Sequence, residues 1–271
     1  MITLRMLSDL NWDAVVAVGY ERERLDIAPE LLAKVRQGRE AFNALIDAGS
    51  PCYGVTTGLG RLSGTDLSPE ARDAISRNIL LARAVAFGDP LPRPVVRAMM
   101  MLRLVNFLSG QDGVTSELCQ YITARLNDDF DPFVPSVGHG FAADGTPNAH
   151  CFQARIGEGR VLDEHGEPVA AATALSARGV APYAPESKEG LALINGITAL
   201  PAYAIYAHRQ VSALHDFATC VAAISLEAVG APKDAIHPVL ARGNSTGITK
   251  VIDRLNELLR GSTVTPHKLQ A

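Results

Sequence analysis

Five side chains in this sequence are of types that move protons or hold a charged small molecule: Tyr53, Arg83, His139, Asp144 and Asn195. Tyr53 opens the run Tyr53-Gly-Val-Thr-Thr-Gly-Leu-Gly60. Such a run is either a cluster of turns or a loop presenting a phenol, and it is not a phosphate loop, because no Gly-Lys-Ser/Thr follows. A tyrosine serves as a base only when its pKa is brought well below the reference of about 10, which takes burial beside cations or donors. Arg83 is permanently charged and suits bidentate carboxylate binding, and it suits a structural or surface ion pair equally well. His139 stands between Gly138 and Gly140, as either a solvated loop residue or an acid/base catalyst. Asp144 is a candidate general base. Asn195 is either a helix cap or an amide placed against a ligand.

Other chemistries fit less well. His208 and His215 are seven apart on one expected helix, whereas a zinc pair is typically spaced by four; HExxH is absent and no metal is expected. Cys52, Cys119, Cys151 and Cys220 lie far apart without a CxxC pair, and read as buried free thiols in a reducing cytoplasm. No Ser-His-Asp or Cys-His constellation assembles. The net charge is -4 and basic residues are scattered singly, so neither nucleic acid nor an anionic membrane is expected as a partner. The N-terminus MITLRMLSDLNW lacks a basic region followed by an apolar one, which argues against secretion. The apolar stretch over residues 199–207 contains Pro201 and runs into His208 and Arg209, short of the roughly 20 residues a bilayer span needs. A soluble, cytoplasmic protein is expected.

The elements that must position these groups are mainly helical. Periodicity and punctuation predict helices over residues 29–49, 69–87 with Ser68 as N-cap, 94–108, a shorter one after Ser116, and a last one ending at Gly261. Residues 128–159, rich in proline and glycine, predict a long loop region of the kind that is more often functional than accidental. A small hairpin follows, with Arg160-Val-Leu and Glu167-Pro-Val as its arms. Residues 191–229 predict one helix of roughly 55 Å at 1.5 Å per residue, kinked near Pro201. The domains are thus an N-terminal helical domain over residues 1–187, carrying the loop site, and a long-helix bundle segment over residues 188–271. A helix of that length needs partners along its apolar face, and the helix after it is too short to supply them, so the chain is expected to oligomerise or to pair with another polypeptide.

Four segments, in order, resemble the aromatic amino-acid (histidine/phenylalanine) ammonia-lyase family. They are the Tyr53 loop; Asn78-Ile-Leu-Leu-Ala-Arg83 with Ala84-Val-Ala-Phe-Gly88, continuing to Asn106; Pro135-Ser-Val-Gly138, resumed at Asp144 and Pro147-Asn-Ala-His150 with Gly157-Glu-Gly159 behind; and Lys188-Glu-Gly-Leu-Ala-Leu-Ile-Asn195-Gly196. Together they cover nearly the whole chain and correspond to the front half of a family member. The resemblance implies an ammonia-lyase/fumarase-like, mainly α fold, with sites formed where subunits meet. It implies Tyr53 as a base near the substrate's β-carbon, and Asn195 beside the cofactor and the substrate's amino group. It also implies that His150 orders the loop.

Three departures change the expected activity. The family reads Ser-Val-Gly, then Ala-Ser-Gly, then Asp, and its Ala-Ser-Gly cyclises and dehydrates into a methylidene-imidazolone (MIO). Here Gly138 and Asp144 are separated by His139-Gly140-Phe141-Ala142-Ala143, and none of these is Ser, Thr or Cys. The methylene arises by loss of water from a serine, so no MIO and no other cofactor is expected. His139 then stands where the cofactor would be, and Asp144, which matches the aspartate supporting cofactor formation, is either vestigial or a general base. Arg83 replaces the histidine of histidine-specific members. Finally, the segments that supply a carboxylate-binding arginine, a second tyrosine and a glutamate are absent, so they reside on a separate chain or are dispensed with. The expected function is a cofactor-independent lyase, isomerase or cyclase acting on an acid or carrier-bound small molecule. Tyr53 is its base, Arg83 and Asn195 orient the substrate, and His139 or Asp144 shuttles protons. The alternative is a non-catalytic or half-site subunit, completed as a hetero-oligomer by a C-terminal-half chain rather than as a homo-oligomer. Classical deamination of histidine or phenylalanine is not expected.

Overall fold

The computed structural model of the chain describes residues 1–139, 142–243 and 245–262. Two compact units divide it, Met1–Ala204 and Ile205–Ala271. The division falls inside a helix, downstream of the expected boundary after residue 187, because the short helix that follows residue 188 packs into the first unit.

The first unit is built round α4 (Arg93–Leu108), whose Met99, Met100 and Met101 are all fully buried. Against it lie α1 (Trp12–Gly19), α2 (Pro29–Asp47) and α5 (Ser116–Asn127). Side-chain caps start two of these helices. Asn11 accepts from the Ala14 N–H at 3.0 Å, and Thr115 from that of Leu118 at 3.1 Å. Buried Arg97 ties α1 to α4, donating to the Val18 carbonyl at 3.0 Å and to the buried Asp131 carboxylate at 3.2 Å. A second group of helices packs mutually: α3 (Pro69–Arg83), α6 (Gly145–Gln153) and α8 (Glu189–Ile194). This group carries the site. A short helix, α7 (Ala171–Ala177), stands outside it.

Three small sheets stitch the loops. β1 (Ile2–Leu4) pairs in parallel with β2 (Leu25–Ile27). β3 (Phe87–Pro90) pairs antiparallel with β5 (Pro135–Val137), Phe87 opposite Val137. β4 (Asp131–Pro132), β6 (Arg160–Leu162) and β7 (Pro168–Ala170) form the third, with the expected hairpin as its outer pair.

Four expectations need correction. The helix predicted to reach Phe87 ends at Arg83, because residues 87–90 are drawn into the ribbon with β5. The region read as loop contains α6, in which Pro147 sits in the first turn, where its missing N–H costs nothing. The single long helix is two, α8 and α9 (Ala199–Ala228), separated where Asn195 turns to ψ 119° and Gly196 to φ +137°. Of the four thiols, Cys119 and Cys151 are buried while Cys52 and Cys220 are half-buried.

Within the second unit, Ala223 of α9, Ile236, Leu255 of α10 (Thr246–Leu258) and its C-cap Leu259 form a small core. The opposite face of α9 leaves Val211, Leu214, Phe217, Val221 and Ile224 exposed at spacings of three and four. By length and composition alone, the stretch Glu189–Ala228 is long and apolar enough to cross a membrane, contrary to the shorter run expected from sequence. The break at Gly196 and the mid-helix His208, Arg209, His215 and Asp216 fit a packed bundle helix better.

Candidate functional site

Tyr53, Arg83 and Asn195, far apart in sequence, line one cavity of about 290 Å³. Tyr53 comes from the loop after α2, Arg83 from the end of α3, and Asn195 from the end of α8. Leu59, Ile79, Val85, Leu191 and Ile194 supply an apolar wall, and Thr146 stands at the start of α6. No described carboxylate lines the cavity.

The Tyr53 loop is both things its sequence allows, a turn cluster and a presented phenol. The N–H groups of Val55 and Thr56 converge on the Cys52 carbonyl at 3.1 and 2.9 Å. Gly54 takes φ +68° where a side chain would collide with Leu59 and Leu191. The phenol oxygen accepts the Gly60 N–H at 3.0 Å. Tyr53 remains 52% exposed, so the burial expected for a tyrosine base is not supplied by this chain alone.

Arg83 closes α3, and the chain then reverses sharply. Ala84 takes φ −82°, ψ 65°, and the Val85 N–H donates to the Arg83 carbonyl at 3.0 Å, an inverse γ-turn. Among the described residues nothing pairs with the guanidinium, which is free to meet an anion.

Asn195 is the C-cap of α8 rather than the start of the long helix. Its backbone is clamped from beneath. Buried Arg103 donates to the carbonyls of Ala192, at 2.7 Å, and Asn195. Buried Asn148 donates to those of Ile194 and Gly196 at 3.2 and 3.0 Å, and accepts from the Thr198 hydroxyl. Only glycine fits at 196, since a side chain there would overlap the Arg103 guanidinium. Burial pushes Arg103 below its usual pKa, and Asp112 opposes the shift. The Asn195 side-chain amide has no partner among the described residues and faces the cavity.

The other two candidates do not reach the cavity. Asp144 turns its carboxylate to the first turn of α9, accepting from Ala199 N–H at 2.8 Å and Leu200 N–H at 3.3 Å. It does so from a left-handed backbone, φ 48°, next to Ala143 at φ 63°. The His139 ring bonds the carbonyl of Pro135, four residues back. Among the described residues, no cluster of three or more His, Cys, Asp or Glu is arranged to hold a metal.

Sequence reasoning passed over the residues that hold this site together. Glu189, fully buried, accepts from the N–H and hydroxyl of Thr115 at 3.0 and 2.7 Å, the Tyr183 hydroxyl at 2.9 Å and the Glu186 N–H at 2.8 Å. Burial beside this carboxylate pushes the Tyr183 phenol up. Gly190 lies so close to Ser76 of α3 that a side chain would overlap its carbonyl. The available signal was polar or minimal residues within apolar helical runs, which gives burial but not the partner.

Residues 10–271 match the aromatic amino acid lyase family. The chain is 35% identical over 267 residues to histidine ammonia-lyase of Symbiobacterium thermophilum, spanning 98% of this chain and 52% of that protein. To histidine ammonia-lyase of Bacillus subtilis it is 34% identical, spanning 95% and 51%. Among solved structures, tyrosine aminomutase from Streptomyces globisporus aligns with a TM-score of 0.86 at 28% identity, covering 94% of this chain and 48% of that one. Histidine ammonia-lyase from Trypanosoma cruzi aligns at 0.81 with 26% identity, covering 91% and 48%. The chain spans about half the length of the curated relatives it matches.

Proposed function

The chain belongs to the aromatic amino acid lyase family, and on that premise we propose that it forms the substrate-holding half-site of an atypical lyase or isomerase working without MIO. The observation carrying this reading is the convergence of Tyr53, Arg83 and Asn195 on one cavity with an apolar wall and no carboxylate of its own. Such a lining selects a small organic acid, or the acyl end of a carrier-bound one. Arg83 holds the negative oxygen, Asn195 orients the neighbouring polar group, and Tyr53 takes a proton from carbon. Elimination and isomerisation share that step, and conjugate-addition cyclisation runs the elimination in reverse, with the same group returning the proton to carbon.

The residues present do not fit the family's electrophile. Residues 139–143 contain no hydroxyl or thiol whose loss as water or hydrogen sulfide would create a methylene, and the Asp144 carboxylate is engaged with α9. No step is therefore routed through such a group, and Tyr53 rather than His139 or Asp144 is the base.

The described residues leave Tyr53 half exposed, so the site takes its remaining wall from a further segment or subunit. The exposed apolar face of α9 is a surface suited to such packing. The alternative reading, a half-site subunit without turnover of its own, is favoured by the 52% exposure of Tyr53. Mass spectrometry of the untagged protein from its own cells tests both parts. The denatured chain is expected at the mass of its unmodified sequence, and the native sample as an assembly. A chain lighter by the mass of lost water, or a monomer alone, overturns the proposal.

A further inference from the structure

We infer that His150 is a positioning residue for Arg83, pinning from behind the strap of three residues that joins Arg83 to β3. The inference rests on the proposed reading of the cavity as an anion-holding site.

The strap is Ala84-Val85-Ala86. The Ala84 N–H donates to the Leu81 carbonyl at 3.3 Å, the Val85 N–H makes the inverse γ-turn onto the Arg83 carbonyl, and Val85 lines the cavity. The strap's last N–H, that of Ala86, donates to Nε2 of His150 at 2.9 Å. Among the described residues, this is the one side chain that bonds the strap. On the far side Gly138, at φ +100°, passes against Ala86 with no side chain of its own. The strap is therefore held between α6 and the end of β5. The backbone sets the Cα–Cβ direction from which the flexible Arg83 side chain reaches, so whatever fixes Ala86 constrains the base from which Arg83 approaches a ligand.

His150 is built for this acceptor role. It is 8% exposed on α6, and its Nδ1 meets the side-chain amide of Gln153, one turn on, at 3.1 Å. A neutral ring that accepts at Nε2 carries its single proton on Nδ1; the amide atom placed against Nδ1 is the Gln153 nitrogen, and exchanging the amide's O and N, an assignment made from the bonding pattern, gives that proton its acceptor. The amide in turn fills the space beside Gly159, where a side chain would collide with it. Burial first, and then the charges of His139 and Arg160, oppose protonation and bring the ring down to about 4. At neutral pH the acceptor is thus always available.

The test uses benzoate as an anionic aromatic probe, titrated calorimetrically into the assembled full-length protein, with methyl NMR of Val85 as the local signature. Four variants are compared: Arg83→Leu, His150→Asn, His150→Leu and His150→Gln. Asparagine keeps a group facing Gln153 but ends short of Ala86, whereas glutamine carries an acceptor out to the Nε2 position. His150→Asn and His150→Leu are expected to weaken benzoate roughly tenfold, matching Arg83→Leu, and to shift the Val85 methyls. His150→Gln is expected to restore both affinity and signature. If Arg83→Leu loses binding while the folded Asn and Leu variants retain it, the positioning role is overturned and the anion site stands. If Arg83→Leu binds like the unaltered protein, the anion-site reading falls, and the positioning role with it. Should one His150 variant fail to fold, the other, set against Gln, decides the same question.

Discussion

The Asp144 carboxylate accepts the backbone N–H of Ala199 at 2.8 Å, joining the loop after β5 to the first turn of the long helix. A carboxylate at that end also complements the helix dipole. Removing it in Asp144→Ala is expected to cost about 1 kcal/mol, within the usual span for an N-terminal cap, while Asp144→Asn retains most of the stability. Urea denaturation of the three proteins measures this. A residue acting as a general base would show the opposite pattern in activity, because asparagine cannot take a proton.

Glu189 makes a larger contribution. Its two oxygens satisfy four donors from Thr115, Tyr183 and Glu186 in a fully buried position. Glu189→Ala strands all of them and opens a hole, with an expected loss of about 3 kcal/mol or more. Glu189→Gln keeps the volume but presents an N–H to the Glu186 N–H, for about 1–2 kcal/mol. Chemical denaturation orders the three proteins; an alanine variant within 1 kcal/mol of the original, about the worth of a single ordinary hydrogen bond, would contradict the assignment.

The buried imidazole of His150 gives the protein a pH dependence of definite sign. Its folded pKa, about 4, lies below the ordinary histidine value of 6.5. The unfolded chain therefore binds more protons between those limits, and stability falls as pH drops through that window. The expected loss between pH 7 and pH 5 is about 2 kcal/mol as an upper value, and it disappears in His150→Gln. Unfolding curves at the two pH values check this against the variant.

Much of the fold was legible because it rests on local rules. Ser68 and Pro69 opening α3, Pro29 opening α2 and the hairpin about Asp163 all follow from punctuation that acts over a few residues. What the sequence hid depends on distant partners. Phe87 reads as the tail of a helix until Val137 arrives to pair with it. The break at Asn195 and Gly196 is invisible in an apolar run, because its cause is Arg103, brought in from α4. In the site, Tyr53, Arg83 and Asn195 were placed by resemblance, and the structure brings them together. His139 and Asp144 follow from the same resemblance, at and beside the position of the family's cofactor, and in the structure each is bonded to backbone.

The exposed face of α9 carries its own expectation. Phe217 and Leu214 are 68% and 66% exposed on adjoining turns, an arrangement that water disfavours unless the face is covered. Leu214→Glu combined with Phe217→Glu is expected to reduce the native assembly to single chains, read by native mass spectrometry, while the melting of the first unit is unchanged. An assembly that survives both substitutions would place the contact on another surface.

Solvent-deuterium incorporation reads the proton abstraction assigned to Tyr53. The assembled protein is incubated in deuterium oxide with a panel of aryl and alkyl carboxylic acids and their thioesters, and exchange at carbon is read by mass spectrometry beside a Tyr53→Phe variant. Exchange is expected in at least one acid or thioester, with its loss in Tyr53→Phe and undiminished exchange in Asp144→Asn. Exchange that persists in Tyr53→Phe, or none in any member of the panel, would contradict a Tyr53-based active site and leave the chain a structural half-site.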